Sequence, residues 1–157
     1  MKKLLASLAL VAATSGIARA QTATQIVTFQ VNAINQISVS GSPSLLISTA
    51  TAGSAPTSVT AAATWAVTTN QTGAKITASI NSAMPAGLTL SANLAAPTGA
   101  TSAGLQALST TAVDAVTGIT KLAQGALGVT YQLDATPAAG VVASTTRTVT
   151  YTITGGT

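Results

Sequence analysis

The sequence predicts an all-β chain: a single antiparallel β-sandwich of about eight to ten short strands. Three observations carry this. Apolar and polar residues alternate with period two over many short stretches. The plainest is RTVTYTITGGT at the end of the chain, where Val149, Tyr151 and Ile153 oppose Thr148, Thr150, Thr152 and Thr154. Gly, Pro and Asn interrupt the alternation at the spacing of a sandwich or barrel, and no segment sustains a convincing long helical pattern. Thr and Val, which suit pleated half-buried surfaces, are abundant throughout.

The chain opens with MKKLLASLALVAATSGIARA. Lys2 and Lys3 precede a short apolar run, Leu4 to Ala13, and Ala18-Arg19-Ala20 fits a small-x-small cleavage site. Residues 1–20 therefore read as a signal peptide cut before Gln21, in the short form that bacteria use. The run falls short of the roughly 20 residues a spanning helix needs. The expectation is a secreted protein, extracellular or at a bacterial cell surface, with residues 21–157 as one domain and no integral membrane segment after cleavage.

QIVTFQVNA at residues 25–33 alternates Val27, Phe29, Val31 and Ala33 with Thr28, Gln30 and Asn32, and reads as a strand. Ile37 and Val39 mark a second stretch at 36–40, with a bulge or kink at INQ between the two. Leu45 and Ile47 suggest a short strand before a turn-rich loop at 49–59. ATWAVTTN and KITASI flank the turn NQTGA and look like a hairpin. LTLSANL follows the turn at MPAG, and a second loop spans 95–104. Between 105 and 127, Leu105, Leu108, Ala112, Val116, Ile119 and Leu122 recur at helical spacing, yet Thr110, Thr111, Thr117, Gly118 and Thr120 are poor helix formers. Short strands with one helical turn near 112–116 reconcile the two signals. GVTYQLDAT at 128–136 and the stretch 147–154 are the last strands, expected to pair with each other. Trp65, Tyr131, Tyr151 and Phe29 all fall on inward positions and read as core.

Composition narrows the function more than any motif does. Residues 21–157 keep Lys75, Lys121 and Arg147 against Asp114 and Asp134, a net charge of +1, with no Glu, His or Cys. Three scattered cations make no patch for phosphates, so a nucleic-acid partner is not expected. Two aspartates in separate segments offer neither a metal cluster nor a carboxylate pair, and without His there is no Ser-His triad. No cofactor is expected, and no enzyme. Asp134 beside a turn reads as a local backbone acceptor, and Asn70 in NQT matches a glycosylation acceptor that has little meaning in a bacterial secretory route. An outer-membrane barrel would carry aromatic girdles that this chain lacks. The weak charge leaves strand edges unguarded and suits packing against copies of the same chain.

Two stretches, VTFQVNAINQISVSG and GVTYQLDATPAAGVVASTTRTVTYTITGG, resemble immunoglobulin-like β-sandwich subunits of bacterial surface fibres, with a last strand similar to that of spore-coat-U-like and related pilin domains. The chain departs from the chaperone-dependent pilin pattern in having no cysteine pair, and it lacks the long apolar helix of a type IV pilin. The resemblance implies a structural subunit of an extracellular fibre, pilus or biofilm matrix that polymerises with copies of itself by exchanging a terminal strand. Residues 21–33, with Val27, Phe29 and Val31 as plugs, are the favoured donor, and 147–154 the other. The alternative is a monomeric adhesion module that binds a glycan or a cell-surface protein through loops such as 49–59 or 95–104.

Overall fold

The computed structural model describes residues 19–157, so the expected signal segment lies outside the described residues except for its last two. The chain divides after Val31, and among the described residues every strand belongs to the part from Asn32 onward. Nine strands run β1 Asn35–Ser40, β2 Val59–Thr69, β3 Ala74–Ile80, β4 Leu88–Leu94, β5 Thr101–Ser102, β6 Gln106–Ala107, β7 Val113–Ile119, β8 Leu122–Ala135 and β9 Val149–Thr154, with one 3-10 turn at Pro137–Ala139. They form two antiparallel sheets, ordered β1-β2-β8-β4-β6 and β5-β7-β3-β9. This is the all-β sandwich the alternation predicts.

The central strands obey the period-two rule. Ala74, Ile76, Ala78 and Ile80 of β3 are buried, as are Trp65 and Val67 of β2 and Leu127, Val129 and Tyr131 of β8. Leu90, Ala92 and Leu94 of β4 and Ala115, Val116 and Ile119 of β7 complete the core. Outward positions are largely Thr, Ser and Ala, so the surface is polar with few charges. Only one ion pair forms among the described residues, Lys75 to Asp114 at 2.9 Å across the exposed face of β3 and β7.

Several expectations need correction. ATWAVTTN and KITASI are not a hairpin: β2 pairs with β1 and β8, β3 pairs with β7 and β9, and the turn at 70–73 carries the chain from one sheet to the other. Period-two alternation is identical on either side of such a corner. The last strand does not pair with 128–136; β9 lies along β3, with Val149 opposite Ile80 and Thr154 opposite Lys75. The stretch 112–116 holds no helical turn, since 113–119 is strand β7. Residues 45–47 form no strand, and the neighbouring loop closes on an isolated bridge between Ala50 and Pro56. The alternating stretch 25–33 is assigned to no strand at all.

Gly87 shows how tightly one end of the sandwich is packed. Its φ of +77° is a conformation that L side chains rarely adopt, and a Cβ there would lie 2.6 Å from the backbone nitrogen of Ala139 in the 3-10 turn. Backbone strain and the clash act together, so Gly87→Ala should destabilise by on the order of 1–3 kcal/mol. A lowered urea midpoint with an unchanged m-value is the expected result.

Candidate functional site

The two sheets have edges that lie side by side. β1 ends one sheet and β9 ends the other, and the two strands are neighbours across the sandwich. Among the described residues β9 has a single ladder partner, β3, and β1 has only β2. The inward side chains of these edge strands are less covered than those next to them. Ile37, Val149, Tyr151 and Ile153 are half-buried and Val39 is exposed, whereas Val67 and Ile76 on the adjoining strands are fully buried. Each edge strand has a neighbour on one side only, so less of its inward row is covered. The hydrophobic core thins along the side between β1 and β9.

Tyr151 is the largest side chain on that side. Its hydroxyl donates to the Tyr131 hydroxyl at 2.9 Å, linking β9 in one sheet to β8 in the other. Burial, followed by the bond and the proximity of Tyr131, raises the Tyr151 phenol well above its ordinary value. Arg147 fixes the start of the strand: its guanidinium donates from Nε and Nη2 to the Ala83 carbonyl at 3.2 and 3.0 Å, and from Nη1 to the Thr146 carbonyl and the Thr145 hydroxyl. The edge is held in strand conformation before anything pairs with its outer side.

Residues 21–33, the favoured donor in the sequence, carry the most exposed large apolar side chains. Ile26, Val27, Phe29 and Val31 are 95, 71, 88 and 77 % exposed. Phe29 is thus not core, in contrast to its sequence reading. Trp65 and Tyr131 are buried and Tyr151 is half-buried. Four large apolar side chains this exposed within six residues form a patch of the kind that marks an interaction site.

The base of this segment is tied to the turn after β2. The Asn70 side chain accepts from the Ile34 amide through Oδ1 at 2.8 Å and donates from Nδ2 to the Asn32 carbonyl at 2.8 Å, while its backbone amide donates to the Ile34 carbonyl at 3.2 Å. The carboxamide read as a possible glycan acceptor is engaged in the fold. A shallow cleft of about 360 Å³ lies beside it, lined by Ile34, Thr68, Asn70, Lys121 and Leu122; neither the 49–59 loop nor the 95–104 loop contributes to it. Asp134 bonds to the Ser58 hydroxyl and the Gln132 side-chain amide, so its partners are side chains and not the local backbone expected from the turn. Asp114 is occupied by Lys75. No three His, Cys, Asp or Glu side chains gather among the described residues, and none of the described helices is long and apolar enough to cross a membrane.

No family model, curated protein or solved structure matches this chain. The geometry alone therefore has to carry the functional argument.

The raised Tyr151 pKa has a consequence for stability. A phenol that ionises at higher pH when folded than when unfolded contributes fully below the unfolded value, and that contribution is lost as pH rises toward the folded value. Stability should therefore decline from about pH 10, the ordinary tyrosine value, upward. Urea melts between neutral pH and pH 11 should show this decline, and Tyr151→Phe should make it shallower.

Proposed function

We propose that the protein is a structural subunit of an extracellular bacterial fibre or matrix, assembled by strand exchange, with residues 21–33 of one copy completing the sandwich of the next. One observation carries the reading: the same chain has an incompletely covered core beside a free strand edge and an exposed segment whose alternating apolar residues would cover it. The acceptor is the outer edge of β9, facing β1. Its six residues are one fewer than the seven from Val27 to Ala33. Backbone bonds to β9 would extend the sheet, and Val27, Phe29 and Val31 would sit over Ile37, Tyr151 and Ile153.

The magnitudes favour such a join. Burying three side chains of this size is worth roughly 5–9 kcal/mol, against an association cost of roughly 4–15 kcal/mol. Side chains alone leave the balance near zero, so the ladder bonds to β9, each worth about 1 kcal/mol net, decide it. A donor must therefore be both apolar in alternation and free of proline, and residues 21–33 contain no proline. The immunoglobulin-like resemblance noted in the sequence agrees with this arrangement: the first and last strands of the sandwich flank the gap.

Electron microscopy of purified Gln21–Thr157 tests the reading. Filaments are expected for the intact chain and monomers for a chain lacking 21–33. Phe29→Asp places a charge at the central plug and should reduce filament mass by at least about tenfold, since burying an unpaired carboxylate costs several kcal/mol. Filaments of normal yield from the shortened chain would exclude 21–33 as the donor.

A further inference from the structure

The two sides of the sandwich are finished differently. On the side away from β1 and β9, each sheet ends on a very short strand, β6 beside β4 and β5 beside β7. One stretch, residues 101–108, supplies both. Thr101 and Ser102 pair with Thr117 and Val116 of β7, and the Ala103 amide donates to the Ala115 carbonyl at 2.9 Å. Further on, Gln106 and Ala107 pair with Ala92 and Ser91 of β4, and the Leu108 amide donates to the Leu90 carbonyl at 2.8 Å. Gly104 sits at the crossing from one sheet to the other, with a φ of +74° that L side chains rarely adopt.

Side chains complete the closure. The Ser102 hydroxyl donates to the Leu94 carbonyl at the end of β4 at 2.6 Å, and its Oγ accepts from the Gly104 amide at 3.1 Å. Gln106 Nε2 donates to the Ala103 carbonyl at 2.7 Å and tightens the crossing. Leu108 is buried in the core, and the Ser109 carbonyl after it accepts from the Ile80 amide at the end of β3 at 2.9 Å. A strand edge already covered by backbone of its own chain offers no ladder to a newcomer. On the other side, among the described residues, no strand lies beyond β9 or beyond β1. Residues 101–108 thus supply edge backbone and a buried apolar side chain on one side only, which is what an exchanged strand would supply on the other.

We infer that residues 101–108 are a built-in closing strand that limits each copy to a single acceptor: the β9 edge takes residues 21–33 of one second copy, and β4 and β7 take none. This rests on the strand-exchange reading and adds to it the valency of the subunit. One donor and one acceptor per copy join head to tail into an unbranched thread. A second acceptor at β4 or β7 would make each copy a branch point.

The test titrates a synthetic peptide of residues 21–33 into Gln21–Thr157 carrying Phe29→Asp, which keeps the whole chain and disables its own donor. Calorimetry reads the stoichiometry and hydrogen exchange the location. One peptide per chain is expected, with amides of β9 newly protected and those of β4 and β7 unchanged. Saturation at two peptides per chain, one of them on β9, overturns the inference and leaves the exchange reading in place. No binding, or a peptide held only away from β9, sinks the exchange reading and this inference with it. The role of 101–108 is tested by adding Gly104→Pro. Proline fixes φ near about −65°, which the crossing cannot accept, so the stretch should come away from β4 and β7. That chain should take a second peptide, doubling the stoichiometry, with new protection in β4 or β7. A folded Gly104→Pro chain that still takes one peptide overturns the inference. If the substitution prevents folding, the stoichiometry and protection map of the Phe29→Asp chain decide by themselves.

Discussion

Among the described residues the backbone of β9 has β3 on one side and no strand on the other. A strand at a sheet edge presents a row of peptide groups that water satisfies only while the edge remains exposed. Proteins blunt such edges with lysine, proline or a covering loop, and β9 has none of these along Val149–Thr154. Thr150, Thr152 and Thr154 face outward, and Val149, Tyr151 and Ile153 face a core that is only partly covered. Arg147, whose guanidinium donates to the Ala83 carbonyl, and Asn81, whose Oδ1 accepts from the Thr148 amide, pin one end of the strand.

The sheet interior was legible in the sequence because alternation and burial coincide there. β2, β3, β4 and β8 each place their Val, Ile, Leu or Trp inward at every second position, and each was readable from that pattern. Pairing partners were not. Alternation says that a strand has two faces and says nothing about which strand lies beside it, so the corner at 70–73 reads as a hairpin and β9 as a partner of β8 in place of β3. In 105–127, several apolar residues at helical spacing belong to two strands and a tight turn, β7, β8 and the Thr120-Lys121 connection, where Lys121 adopts a φ of +41°. The coincidence of periods there is a product of short strands joined closely.

The same ambiguity gave residues 25–33 their interest. Their alternation is as regular as that of β3, yet they belong to no strand of the described fold. Sequence pattern records what a segment can pair with, not whether that partner is in the same chain. Phe29 was read as core by the same logic that placed Trp65 correctly, and the difference between the two lies in topology: Trp65 has strands on both sides, with Val39 and Leu127 opposite it. The contacts of Asn70 are hidden for a related reason. Its NQT context suggests surface chemistry, and only the fold brings it within bonding distance of Asn32 and Ile34, nearly forty residues earlier.

Under the proposed strand exchange, low charge leaves selection to the register of the strands. Residues 21–157 carry few ions, and Lys75 and Asp114 neutralise each other, so long-range repulsion does little to keep copies apart. Discrimination must then come from register. A one-residue slip along β9 would turn Val27, Phe29 and Val31 outward and present Thr28 and Gln30 to the core, exchanging three apolar contacts for buried polar groups without partners. The penalty for the wrong register is of the same order as the gain for the right one. Under the proposed exchange an uncharged edge of only six residues can still be specific, provided that the segment reaching it alternates strictly.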